Sequence, residues 1–141
     1  MTAALEQGGC ELVKPSLGEL EHLVGRELKD PAEQEREAMA LVWRRAARMV
    51  ALTLGAEGAL LATEDGVIRM GAMDEPMHSS VGAGDAFLAA LTLALARGST
   101  PADAMAWGTA AGAAAIACAG TARLRRADVE ARYRVLRGGG G

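Results

Sequence analysis

The sequence has 141 residues, 50% of them hydrophobic but only 3% aromatic, and a formal net charge of −3. That length allows one domain whose core is built from Ala, Leu, Val and Met, small side chains that let backbones pack closely. Acids and bases are interspersed, which excludes a basic stripe for nucleic acid and a polybasic anchor for a membrane.

Residues 1 to 10 read as a polar, frayed start without the basic stretch and apolar run of a leader. Glu11, Leu12 and Val13 predict a short strand, stopped at Lys14, Pro15 and Ser16 because proline cannot donate to a ladder. Ser16 followed by Glu19 is a capping-box pattern ahead of Leu17, Leu20, Leu23 and Val24. Asp30, Pro31 and Glu33 repeat the start signal, and the helix they open is predicted to reach about Arg48. Ala38, Met39, Val42, Ala46 and Met49 then share one face, as in a surface helix covering a sheet. Residues 49–54 predict a continuous apolar strand, and Gly55, Ala56, Glu57 and Gly58 supply a flexible turn after it. A strand ending in a glycine turn is a common ligand position in open α/β sheets. Residues 59–63 and 67–70 predict a hairpin across Glu64, Asp65 and Gly66, with a loop over 71–80 after it that contains Pro76.

The stretch from Ser79 to Arg97 organises the rest. Val81, Gly82, Ala83, Gly84 and Asp85 form a permissive turn that opens directly into an apolar helix over 86–96. The first turn of a helix leaves N–H groups unpaired and carries about half a positive charge, so this turn suits a phosphate group. Asp85 reads equally well as an acid that suits the helix dipole. Gly98 closes the helix, and Thr100, Pro101 and Asp103 start another that extends to about Cys118. Residues 104–122 carry no charge and place Gly108 and Gly112 at the small-residue spacing of membrane helices. Ala and Gly drive insertion weakly, and Pro101, Asp103, Arg123, Arg125 and Arg126 close around the stretch, so it reads as a closely packed helix outside the membrane. Gly120 and Thr121 turn the chain into an amphipathic helix over 128–137, and 138–141 form a glycine tail expected to be disordered. Cys10, Cys118, His22 and His78 match no metal-ligand spacing, which predicts two buried thiols in a reduced cytoplasmic setting and ordinary histidines.

A dinucleotide-binding turn fails, because Phe87 stands where the third glycine belongs, and no P-loop run occurs either. Three motifs carry a different likeness: Lys14, Pro15 and Ser16 through Glu19; Thr53, Leu54, Gly55, Ala56, Glu57 and Gly58; and Val81 to Phe87. In that order and spacing, over residues 12–136, they resemble the C-terminal half of the ribokinase-like (PfkB) family of carbohydrate kinases, nearest its minor 6-phosphofructokinase type.

The resemblance implies an α/β fold, a β-sheet flanked by helices with the N-terminal half absent, and residues 11–137 as its nucleotide-binding and catalytic part. It implies ATP-dependent phosphorylation of a sugar phosphate, fructose 6-phosphate first, with Asp85 as general base and an anion hole at Gly82, Ala83 and Gly84. Lys14, Ser16, Thr53, Gly55 and Gly58 would approach ATP, and Glu19 would organise magnesium indirectly, with Ser16 where the family usually has Asn. Ser79, Val81, Ala115, Cys118 and Gly120 fall at positions for a monovalent cation such as K+, although Cys118 replaces an Asn there. Complete members run to about twice this length and are homodimers by the same resemblance. The shorter chain is expected to expose an apolar sheet edge and to lack a sugar pocket. A nucleotide-binding remnant without turnover is the alternative function.

Overall fold

The computed structural model describes residues 10–73, 82–118 and 124–139. The chain divides into two units, Met1–Arg69 and Met70–Gly141.

In the first unit, β1 (Cys10–Val13) leads through Pro15 to α1 (Leu17–Val24), and α2 (Pro31–Trp43) comes next. The chain returns as β2 (Ala47–Thr53), then makes a 3₁₀ turn (Gly55–Glu57) and the strands β3 (Ala59–Thr63) and β4 (Gly66–Met70). The four strands lie in the order β1-β2-β3-β4. β1 and β2 are parallel, with Cys10 opposite Ala47 and Val13 opposite Val50, and a parallel pair requires a long crossover, which α1 and α2 supply. β2 and β3 are antiparallel, Val50 facing Ala62 and Thr53 facing Ala59. Leu20 of α1 and Ala38, Leu41 and Val42 of α2 pack with Val50, Leu52, Leu60 and Ala62 of the sheet into one core. Gln34 is buried within α2, where its Nε2 donates to the Leu28 carbonyl at 2.9 Å.

The start of α2 is as expected, with Asp30 Oδ1 accepting from Ala32 N at 3.0 Å and Pro31 in the first turn. Its end is not. The helix stops at Trp43, so Ala46 belongs to the connection and Met49 to β2. Arg45 takes a left-handed φ of 62°, its N–H donates to Val42 O, and Ala46 N–H donates to Leu41 O, both at 3.0 Å. That is a Schellman closure with arginine at the position glycine normally fills, and it lets Ala46 bury against the core. The strand expected from Glu11 begins one residue earlier, at Cys10. Cys10 and Cys118 are half-buried, not buried.

The second unit contains α3 (Ala83–Ala96), α4 (Pro101–Ala117) and α5 (Arg126–Gly139). The helix expected from residue 86 begins three residues earlier, so Ala83 and Gly84 of the expected anion hole are themselves in its first turn. Gly98, at φ 86°, closes α3 in a Schellman motif in which Ser99 N–H reaches Ala94 O and Gly98 N–H reaches Leu95 O, both at 3.0 Å. Thr100 Oγ1 then caps α4 by accepting from Asp103 N at 3.2 Å. The last helix takes in Gly138 and Gly139, so the expected disordered tail does not start at residue 138; Gly140 and Gly141 lie outside the described residues. Among the described residues no helix is long and apolar enough to cross a membrane.

α5 is held to α4 by one cluster. The rings of Trp107 and Tyr133 stack with centroids 3.8 Å apart and planes 7° from parallel. The Tyr133 hydroxyl donates to Asp103 Oδ1, which also faces Arg137 Nε at 3.7 Å. The bond to Asp103, with desolvation behind it, raises the tyrosine above its usual value of 10.0.

These contacts make two outcomes measurable. Arg45→Gly removes left-handed strain of about 1–2 kcal/mol and adds about 0.5–1 kcal/mol of unfolded-state entropy, so chemical denaturation should show a net gain of roughly 0.5–1 kcal/mol. A raised tyrosine pKa stabilises the fold fully below the unfolded value and loses that contribution as pH rises through the folded one. Tyr133 is the single tyrosine, so tyrosinate absorbance should show a midpoint above 10.0 in the native chain, falling toward that value in Asp103→Asn.

Candidate active site

The first unit gathers its expected site residues at the carboxyl ends of β1 and β2, the edge where open α/β sheets place their ligands. Beyond Val13 and Val50 the two strands stay in step: Ser16 bridges Thr53 in parallel fashion, and Thr53 N–H donates to the Pro15 carbonyl at 3.1 Å. Thr53 Oγ1 approaches the same carbonyl at 3.5 Å. Pro15 is fully buried. It is thus the anchor that sets Ser16 beside Thr53, a role that a proline read only as a strand stop does not reveal.

Ser16 and Glu19 form the expected reciprocal pair. Glu19 N–H donates to Ser16 Oγ at 3.2 Å, and Ser16 N–H donates to Glu19 Oε1 at 3.0 Å. The bond from the Ser16 amide, joined by its hydroxyl and by the nearby charge of Lys14, holds the Glu19 carboxyl below its usual value of 4.5. Glu19 is exposed, so an ionised carboxylate faces solvent at this edge. The expected flexible turn after β2 is an ordered 3₁₀ turn: Leu54 N–H donates to Gly58 O at 2.8 Å and Gly58 N–H to Gly55 O at 3.1 Å. Gly55 and Gly58 have φ of 60° and 99°, which explains why both ends of this turn are glycine.

The second unit places Gly82, Ala83, Gly84 and Asp85 at the start of α3. Ser16, Asp30 and Thr100 cap α1, α2 and α4 with side-chain oxygens, whereas α3 begins on Gly82, at φ 85°, with no side-chain cap. Gly82 thus supplies no oxygen to the first-turn amides, and Asp85 is exposed within that turn. Ala115 lies near the end of α4, where Cys118 N–H donates to the Ala114 and Ala115 carbonyls at 3.1 and 3.3 Å. Ser79, Val81, Gly120 and His78 lie outside the described residues. His22 is exposed on α1. Among the described residues no group of three or more His, Cys, Asp or Glu could hold a metal ion.

The family profile described as pfkB family carbohydrate kinase matches residues 2–127. The chain belongs to that family. The ATP-dependent 6-phosphofructokinase isozyme 2 of Mycobacterium tuberculosis is 43% identical over 122 residues, which cover 86% of this chain and 36% of that protein. Crystal structures of phosphofructokinase-2 from Escherichia coli, one in complex with substrates and products and one in complex with potassium, match with TM-scores of 0.91 at 36% identity, over 96% of this chain and 44% of theirs. A tetrameric inhibited form of the same enzyme matches at 0.86. The ribokinase of Arabidopsis thaliana, solved with ribose and ATP, matches at 0.80 with 20% identity over 88% of this chain and 41% of that one, a likeness of fold. The fold is ribokinase-like, and the chain spans less than half the length of these relatives.

Because its pKa is lowered, Glu19 stabilises the fold above pH 4.5 and loses that contribution as pH falls through the lowered value. Denaturation measured across that acid range should show a flatter pH dependence for Glu19→Gln than for the native chain.

Proposed function

We propose that residues 11–137 are the nucleotide-binding and catalytic part of an ATP-dependent sugar-phosphate kinase, with fructose 6-phosphate as acceptor. The observation that carries this reading is the start of α3: a helix opening on an uncapped glycine, with the Asp85 carboxylate in its first turn, in a chain of the pfkB family. Phosphoryl transfer asks for positioning and for neutralisation of charge on the transferred group. The amides of Ala83 and Gly84, opened by the left-handed Gly82, supply partial positive charge for that purpose. Asp85 accepts the proton of the attacking sugar hydroxyl as general base.

Lys14, Ser16, Thr53, Gly55 and Gly58 serve ATP. The turn glycines keep the backbone open to a phosphate or ribose, and the Lys14 ammonium offsets phosphate charge. The Glu19 carboxylate is ionised and exposed, a hard oxygen suited to magnesium that arrives with the nucleotide and keeps most of its waters. Ser16, through its hydroxyl, stands beside it. Magnesium, when bound, would supply neutralisation of phosphate charge. Ser79, Val81, Ala115 and Gly120 are the positions for a monovalent cation, a reading supported by the potassium complex of the Escherichia coli enzyme. The complete kinase self-associates, in line with the tetrameric form of that enzyme and the expected homodimer, and works in the cytoplasm, where ATP and sugar phosphates meet.

The test is Asp85→Asn in a kinase that carries the remaining segment. Loss of a general base should lower turnover by about 10² to 10⁴ while ATP binding measured by calorimetry stays unchanged. Full turnover in that variant would remove Asp85 from the role, and ATP binding with no turnover in the unaltered assembly would leave the non-catalytic alternative.

A further inference from the structure

We infer that Gly108 of α4 is the positioning residue for the first turn of α3, and so for the phosphate-binding amides and Asp85; the functional half of this statement rests on the reading above. A Cβ at Gly108 would lie 3.1 Å from Phe87 Cδ2, 3.1 Å from Phe87 Cε2 and 3.1 Å from the Phe87 carbonyl oxygen. A Cβ at Gly112, one turn along, would meet only ordinary contacts, 3.5 Å to the Ala83 carbonyl oxygen and 3.8 Å to Phe87 Cβ. The two glycines look equivalent in sequence, yet only one of them is spatially required.

The contact at Gly108 is tight on three atoms at once, two on the ring and one on the main chain. Phe87 is 5% exposed, so the ring has no solvent to turn into. Relief therefore requires a main-chain shift of a few tenths of an ångström between α3 and α4 at Phe87. Phe87 lies two residues beyond Asp85 in one continuous hydrogen-bonded helix, and an α-helix transmits such a displacement to its neighbouring turn. A shift of a few tenths of an ångström at the amides and at a general base matters, because misplacement by about 1 Å can remove about 10² of catalytic effect. Gly108 thus fixes how closely α3 seats on α4, and through Phe87 where its first turn stands.

The experiment is heteronuclear NMR of this chain, following the amide resonances of Ala83, Gly84 and Asp85, with a titration of ATP plus magnesium. Gly108→Ala should displace these resonances before any ligand is added and weaken ATP by roughly 3- to 10-fold, about half the ångström-scale loss on a logarithmic scale. Gly112→Ala should do neither and, as a Gly-to-Ala change within a helix, should raise the melting temperature. The double variant Phe87→Leu/Gly108→Ala removes the two ring contacts and leaves the one to the carbonyl oxygen, so resonances and affinity should return part of the way toward the native values. Native-like resonances in Gly108→Ala, or equal displacement in Gly112→Ala, would overturn the assignment. Should Gly108→Ala not fold, a folded Gly112→Ala supports the assignment and unfolding of both variants overturns it. Native amides that ignore ATP would instead sink the phosphate reading, while the ligand-free displacement still decides the role of Gly108.

Discussion

The hydrogen bond from Thr53 N–H to the Pro15 carbonyl is the constraint on which the arrangement of the first unit depends. Parallel strands align their ends only if the connection between them is long enough to return the chain, and α1 and α2 provide that length. Proline then contributes in two ways. Lacking an N–H it cannot donate to the ladder, but its carbonyl still accepts, so the two strands stay joined as far as the bridge of Ser16 with Thr53. Ser16 on one strand and Thr53 on the other are adjacent for that reason. This sheet edge is built by backbone geometry before any side chain is chosen.

In the second unit the organising constraint is the absence of side-chain volume. With aromatics at 3% of the sequence, α3 and α4 approach through Ala and Gly, and Phe87 is the one large ring seated in the notch that Gly108 leaves. Interiors packed to crystal-like density do not absorb an added methyl where backbone and ring already touch. The Trp107 and Tyr133 stack adds aromatic area, and Asp103 adds one acceptor, to the contact of α4 with α5.

The elements legible in the sequence are those whose boundaries carry a local chemical signal. Ser16 with Glu19, Asp30 with Pro31, Thr100 with Pro101, and Gly98 each mark a helix end by a bond that the residue itself makes. Arg45 marks one by a conformation arginine does not announce, so the apolar spacing alone carries α2 past Ala46 into β2; only the pairing of Ala47 with Cys10, a contact between distant residues, decides that boundary. The start of α3 reads late in the sequence for the opposite reason, since Gly82 and Gly84 signal a turn while tertiary packing carries the helix through Ala83 and Gly84. The site residues near Ser16 and Thr53 are legible as motifs, but the part played by Pro15, and the difference between Gly108 and Gly112, exist only once distant segments meet.

The start of α3 also shows where local stability and function part. Ser16, Asp30 and Thr100 satisfy first-turn amides with their own oxygens, a contribution of about 0.5–2 kcal/mol each relative to Ala. α3 forgoes such an oxygen, and Gly84 in its first turn adds the entropic penalty of glycine within a helix. Both choices weaken the helix taken alone. Asp85 lies exposed in the same first turn. Burial of Phe87, Leu91 and Ala94 further along offsets the loss, so the helix is held from its middle. That division explains why the residue that seats the middle, Gly108, bears on the geometry of a turn it does not touch.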